Sequence, residues 1–244
     1  MIETRSDLFP FRYRMVWFSD GLYDVDGCDS VIFRLCRKPV EKSGFTFTDE
    51  FHTLTIDLTQ SLETIWHDMS KTNCRKPISH AVDAGVTVKR NENYEEFFDL
   101  YRQLRKTKGF TSNNIGIDYM KKYGTLFTTE CNGELLGGMF YIEDENTILE
   151  IVTASKRFDG DKEKRNFVGA ANKLLIWEAI RYAKAKGIKE YDQGGVISGG
   201  VHDEQLERIT NYKMSFGGKP ATKYNYRKDY SPVLSLLKRY VLKN

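Results

Sequence analysis

The chain has 244 residues, a formal net charge of +3 and a mean hydropathy of −0.52. Its 40% hydrophobic and 13% aromatic content suffices for one domain, or one and a half, and no apolar run approaches membrane-spanning length. The opening MIETRSDLFPFRYR has no apolar stretch of signal-peptide type, so a soluble, cytoplasmic protein is expected. Cys28, Cys36, Cys74 and Cys131 are far apart and lack metal-ligand spacing, which predicts free thiols and no metal site. The charge is uneven. From Lys219 onward seven basic residues stand with one acid, Asp229, and the rest of the chain is left at −3. Such a tail suits phosphates or a membrane surface, or is simply a solvated face.

FRYRMVWFS, SVIFRLCRK and FHTLTIDL, between residues 11 and 58, are rich in β-branched and aromatic residues and read as strands, with turn signals between them. Ser61 or Thr59 caps a helix running to about Lys71. TNCRKPISHAVDAGVTVKR follows, with Pro77 fit for a first helical turn. Arg75 and Lys76 offer charge for a phosphate, and His80 reads as structural or as a catalyst. Phe97, Phe98, Tyr101 and Leu104 place one face on a helix from Tyr94 to Lys106, and a shorter helix is expected near Ile117 to Lys122. TLFTTE, ELLGGMFYIE and TILEIVTAS then form an antiparallel run. Asn132-Gly133 is the hairpin signal, and Gly137-Gly138 asks for a close neighbour.

Residues 156–170 read as a loop entering a long helix. Val168, Ala171, Leu175, Ala179, Tyr182 and Ala183 mark its apolar stripe, widened by Leu174, Ile176 and Ile180. Gly187 sits where a C-terminal glycine cap belongs. Ile188 to Tyr191 is expected to be a short strand, ended by Asp192-Gln193-Gly194-Gly195. A glycine-rich loop, a helix carrying Leu206, Ile209, Tyr212 and Lys213, a strand from Ala221 to Arg227 and a helix from Ser231-Pro232 complete the chain.

The stretch A-x-x-L-L-I-W-E-A-I-x-x-A-K-x-K-G-I-x-x-Y-D-x-G-G from Ala171 to Gly195, followed by Tyr212-Lys213-Met214-Ser215-Phe216-Gly217-Gly218, resembles the GNAT-superfamily acyltransferases. The second element matches the K-x-x-F-G-G of the FemAB-like, peptidoglycan-bridge and aminoacyl-transferase branch. The likeness covers mainly residues 50–230. It implies an α/β (α+β) GNAT-like fold with a central mixed, mostly antiparallel twisted sheet flanked by helices. A reduced, β-rich N-terminal subdomain would occupy residues 1–72, the GNAT-like domain 73–230 and a basic helix 231–244.

The resemblance further implies transfer of an acyl or aminoacyl group to an amine of a cell-envelope, amino-sugar or nucleotide-linked acceptor. The donor would be acyl-CoA or aminoacyl-tRNA, with no permanently bound cofactor. No G-x-S-x-G occurs, which agrees with direct attack by the amine. Asp192 is expected to orient or deprotonate that amine, or else to cap the Gly194-Gly195 turn. Lys213 would neutralise a donor phosphate or the developing charge, and Glu150 and Tyr212 would serve as base and leaving-group acid. Arg165, Asn166, Phe167, Val168, Gly169 and Ala170 stand where GNAT enzymes bind pyrophosphate, although their glycine spacing differs from that motif. Tyr101, Arg105, Phe110, Gly194, Gly195, Phe216 and Gly217 would line the acceptor side. A non-catalytic scaffold binding RNA or nucleotide, and a peripheral membrane contact through the basic tail, are the alternatives.

Overall fold

The structure is a computed structural model that describes residues 1–8, 10–108, 115–158, 160–196 and 204–241. The chain divides into two compact units, residues 1–53 with 220–244, and residues 54–219. These divisions lie away from the expected positions 72 and 230. The physical reason is a strand pairing: β10 (Lys219–Asp229) runs antiparallel to β3 (Ser30–Cys36), with Tyr226 opposite Phe33.

The first unit is built on β1 (Ile2–Leu8), β2 (Phe11–Trp17), β3, β10 and the first residues of β4 (Thr46–Asp57), in the order β1-β2-β3-β10-β4. β1 was not legible in the sequence, because IETRSDL carries three charges and no apolar alternation. It is held by antiparallel pairing to β2. Val16, Val31, Phe33 and Cys36 are fully buried and form this unit's core with Leu22, Cys28 and Tyr226. The closing helix α7 (Pro232–Val241) buries Leu234 but leaves Val233, Leu236 and Leu237 exposed.

In the second unit Ser61 caps α1 (Leu62–Asp68), its hydroxyl accepting from the Thr64 N–H at 3.0 Å. The helix stops short of Lys71. A wide π-type turn, Lys71–Arg75, leads into α2 (Lys76–Asp83), with Pro77 in its first turn as expected. β5 (Thr87–Arg90), absent from the sequence reading, pairs antiparallel with β6 (Thr125–Cys131). α3 (Tyr94–Lys108) lies where the apolar spacing put it, and α4 (Ile117–Tyr123) where the shorter helix was expected. β6, β7 (Glu134–Glu143) and β8 (Thr147–Ser155) form the predicted antiparallel run. Asn132 and Gly133 both take positive φ, 51° and 77°, the conformation a two-residue hairpin turn requires.

α5 (Lys162–Ala185) begins well before the expected entry, because Asp161 caps it and accepts from the Lys164 N–H at 2.9 Å. Residues 165–170 are therefore helix, not loop. Val168, Ala171, Leu175, Ala179, Ile180 and Ala183 of α5 are fully buried and anchor the core. The helix ends in a glycine cap: Gly187 (φ 83°) donates to Lys184 O and Ile188 to Ala183 O, both at 3.0 Å. β9 is Glu190–Gly195, shifted from the expected 188–191, so Asp192 is inside the strand rather than beyond it. α6 (Glu204–Met214) follows.

Gly187→Ala forces an L side chain into the left-handed region and is expected to cost about 1–2 kcal/mol, read as a lowered denaturation midpoint.

Candidate active site

β8 and β9 run parallel, Thr147–Leu149 facing Glu190–Asp192, and the paired register ends at Leu149 and Asp192. Immediately past that end lies a small cavity of about 190 Å³. β8 contributes Glu150, Thr153 and Ser155 to its lining, β9 contributes Gln193, α5 Asn172 and Ile176, and α6 Tyr212 and Lys213. Leu104, Met139 and Arg157 complete it, and no histidine lines it among the described residues.

Three of the four residues expected to do chemistry are brought together here. Glu150 takes a hydrogen bond from the Thr153 hydroxyl. Burial raises its carboxyl above the ordinary glutamate value, and the charge of Lys213 and the Thr153 bond oppose that rise. Lys213 Nζ donates to Gly195 O at 2.8 Å. Burial lowers the Lys213 pKa, while the carboxylates of Glu150 and Asp192 hold it up. Burial, then the neighbouring Glu150, push the Tyr212 phenol far up, so it stays protonated. Glu150 and Lys213 lie on elements, β8 and α6, that both reach this cavity.

Asp192 sits elsewhere. It is fully buried, outside the cavity lining, and its Oδ1 accepts from the Gly194 N–H at 2.8 Å. In this geometry it turns the end of β9 and places negative charge beside Lys213. Gly194 takes φ 75° at that turn, and an added Cβ would stand 3.6 Å from Lys213 Nζ.

The K-x-x-F-G-G element divides its tasks. Lys213 enters the cavity, whereas Phe216 is fully buried and supports Tyr212 edge-on, ring centroids 5.3 Å apart. Gly217 packs against Asp68 of α1, away from the cavity. Of the acceptor-side residues on α3, Tyr101 is buried with the Arg105 guanidinium over its ring at 5.7 Å, and Leu104 is the one that lines the cavity. Phe110 lies outside the described residues.

A second, open cleft of about 1090 Å³ lies along the first turns of α5. Asn166, Phe167 and Ala170 line it, with Lys76, His80, Lys162 and Lys164. Val168 is fully buried, and a Cβ added at Gly169 would stand 3.7 Å from Arg157 Nε, so only part of the expected 165–170 segment reaches this cleft. The Arg165 N–H bonds Asp161 O at 3.1 Å, inside the helix. Residues 165–170 lie inside the helix, where backbone N–H groups bond within it, so an anion here would meet the lysine side chains. Glu134 already engages Lys156 at 3.0 Å and Lys164 at 3.6 Å. Arg75 turns toward His67, Nη1 to Nδ1 3.3 Å.

Asn172 and Gln193 were missed. Asn172 was detectable in principle, as the one amide on the apolar stripe of α5 between Val168 and Ile176. Gln193 carried no signal apart from its place in Asp192-Gln193-Gly194-Gly195.

No protein-family model and no curated protein matches the sequence. The fold does match solved structures. The chain is similar to FemX, at 13% identity, with 96% of this chain and 85% of FemX covered and a TM-score of 0.67. It is similar to L-PGS from Bacillus licheniformis, at 15% identity, 85% and 70% coverage and a TM-score of 0.51. A conserved protein of unknown function from Bacteroides thetaiotaomicron aligns at 12% identity over 76% of this chain and 62% of its own, with a TM-score of 0.51. The chain therefore shares its fold with FemX, a mixed, mostly antiparallel sheet with flanking helices. No helix among the described residues is long and apolar enough to cross a membrane.

A raised Glu150 pKa means that the folded state holds this proton more tightly than the unfolded chain does. Its contribution therefore turns unfavourable as pH rises from the ordinary glutamate value through the raised one. Glu150→Gln should remove that slope: measured by thermal unfolding, wild type loses stability relative to the variant across this window.

Proposed function

We propose that the chain is an N-acyl- or N-aminoacyltransferase in which the acceptor amine attacks the donor directly. The observation that carries this reading is the convergence of Glu150, Tyr212 and Lys213 on one cavity where β8 and β9 stop pairing. Likeness of fold to FemX and L-PGS is compatible with it.

The chemistry assigns each group a role. Glu150, with its carboxyl raised by burial, accepts the proton of the entering amine. The nitrogen lone pair forms an N–C bond to the acyl carbon, and the carbonyl π pair moves onto oxygen. The Lys213 ammonium stabilises that charge. Collapse restores C=O and breaks the C–S bond of a thioester or the C–O bond of an ester. The leaving atom takes the Tyr212 proton, and Glu150 returns its own to Tyr212. The sum is donor plus amine to amide plus thiol or alcohol. Ser155 and Thr153 lack a histidine in the cavity to make either a nucleophile, which favours the direct route.

The donor body is assigned to the larger cleft, whose Lys76, Lys162 and Lys164 suit phosphates of a coenzyme A or a tRNA end. Acceptors of cell-envelope or amino-sugar type follow the fold likeness. A non-catalytic scaffold for RNA or nucleotide is the second reading, and what favours it is the absorption of residues 165–170 into α5.

The test begins with thermal stabilisation of the protein by acetyl-CoA, uncharged tRNA and UDP-sugars, followed by transfer assays with the donor type that binds. Lys213→Ala and Glu150→Gln are each expected to reduce transfer by about 10²-fold or more, with folding retained. Salt-dependent RNA binding with no transfer to any amine would establish the scaffold instead.

A further inference from the structure

Two side-chain amides in the small cavity are built like ligand contacts. Gln193 and Asn172 are only 3% and 7% exposed, and both line the cavity. Gln193 Nε2 and Asn172 Oδ1 are buried with no hydrogen-bond partner among the described residues. One is a donor and the other an acceptor.

The backbone is cut away for each of them. A Cβ at Gly218 would lie 2.4 Å from Gln193 Nε2, and a Cβ at Gly137 would lie 2.9 Å from Asn172 Oδ1. Any other residue at these positions would displace the amides. Buried polar atoms are almost always paired, and leaving two unmet beside one cavity opposes folding. A bound molecule that supplies the partners explains both.

We propose that Gln193 and Asn172 are substrate-contacting residues: the Gln193 NH₂ donates to the acyl oxygen as it becomes an oxyanion, and Asn172 Oδ1 accepts from the attacking amine's remaining N–H. This rests on the transferase reading above. The tetrahedral intermediate of amine acylation presents an anionic oxygen and an N–H on one carbon, the complement of an amide donor and an amide acceptor. The pair thus orients the nucleophile and takes up charge, while Glu150 receives the proton and Tyr212 protonates the leaving atom. Because neither amide changes charge, the pair adds stabilisation without adding a titration.

The test uses the full chain with Gln193→Met and Asn172→Leu, which keep bulk and remove the polar atoms. As each removes an unmet buried group, melting temperatures are expected to hold or rise. Transfer, with whichever donor type binds in the stabilisation test, is expected to fall about 10²- to 10³-fold for Gln193→Met, in kcat rather than KM. A lowered melting temperature with kcat retained would make the amides structural and overturn the assignment.

Side-chain amide NMR provides a reading independent of turnover, with acetyl-CoA and with puromycin, a stable aminoacyl-nucleoside amide. The Gln193 NH₂ signal, identified by its loss in Gln193→Glu, should move when either probe binds. A protein that binds a probe and leaves this signal in place loses this assignment alone. A protein that binds neither loses the transferase reading and this assignment with it.

Discussion

The end of the parallel pairing between β8 and β9 is the constraint on which the site depends. Up to Leu149 and Asp192 the strands share hydrogen bonds, and side chains on both pack into the core. One residue further, Glu150 and Gln193 line a cavity instead. Parted strands expose polar groups inside an otherwise apolar unit, and water or a ligand must then satisfy them. Asp192 stands at the last paired position and holds the Gly194 N–H, so the path of β9 out of the sheet is set by a buried carboxylate. Lys213 bonds the carbonyl of Gly195, which fixes the far side of the opening.

The electrostatics follow from the same geometry. Glu150, Lys213 and Asp192 form an acid–base–acid series around the end of β9, with Asp192 fully buried and the other two half-buried. Burial favours neutral Glu150 and neutral Lys213, and their mutual attraction favours the charged pair. In the proposed reaction these opposed effects are what let Glu150 take and return a proton. Tyr212, propped by Phe216, is held in its protonated form by the same burial.

Glycines serve this arrangement by absence of a side chain. Gly137 lies in the middle of β7, a position where glycine weakens a strand, yet Ser155 and Asn172 occupy the space a Cβ would need. Gly218 does the same for Gln193. The cost to local strand stability is repaid in a cavity whose polar lining can approach the backbone closely.

Periodicity by itself determined much of this protein. The α5 stripe, the β6-β7-β8 run with its Asn132-Gly133 turn, the Ser61 and Gly187 caps and α3 were all legible, because each is enforced by contacts within a few residues or one hairpin. Lys213 was singled out by the K-x-x-F-G-G resemblance and Glu150 by its place on an expected strand, and both line the cavity. Tertiary structure alone decided the rest. The polar strand β1 exists only by pairing to β2, and β10 belongs with β3 although most of the chain separates them. The start of α5 at Lys162 depended on Asp161 outcompeting an expected loop, which moved residues 165–170 into helix. Asp192 was placed inside a strand and left out of the cavity lining, and Gln193, its neighbour, was placed in it. A strand alternates its faces every residue, so a shift of one position exchanges core for cavity. No local rule sets that register; it comes from which residue of β8 lies opposite which residue of β9.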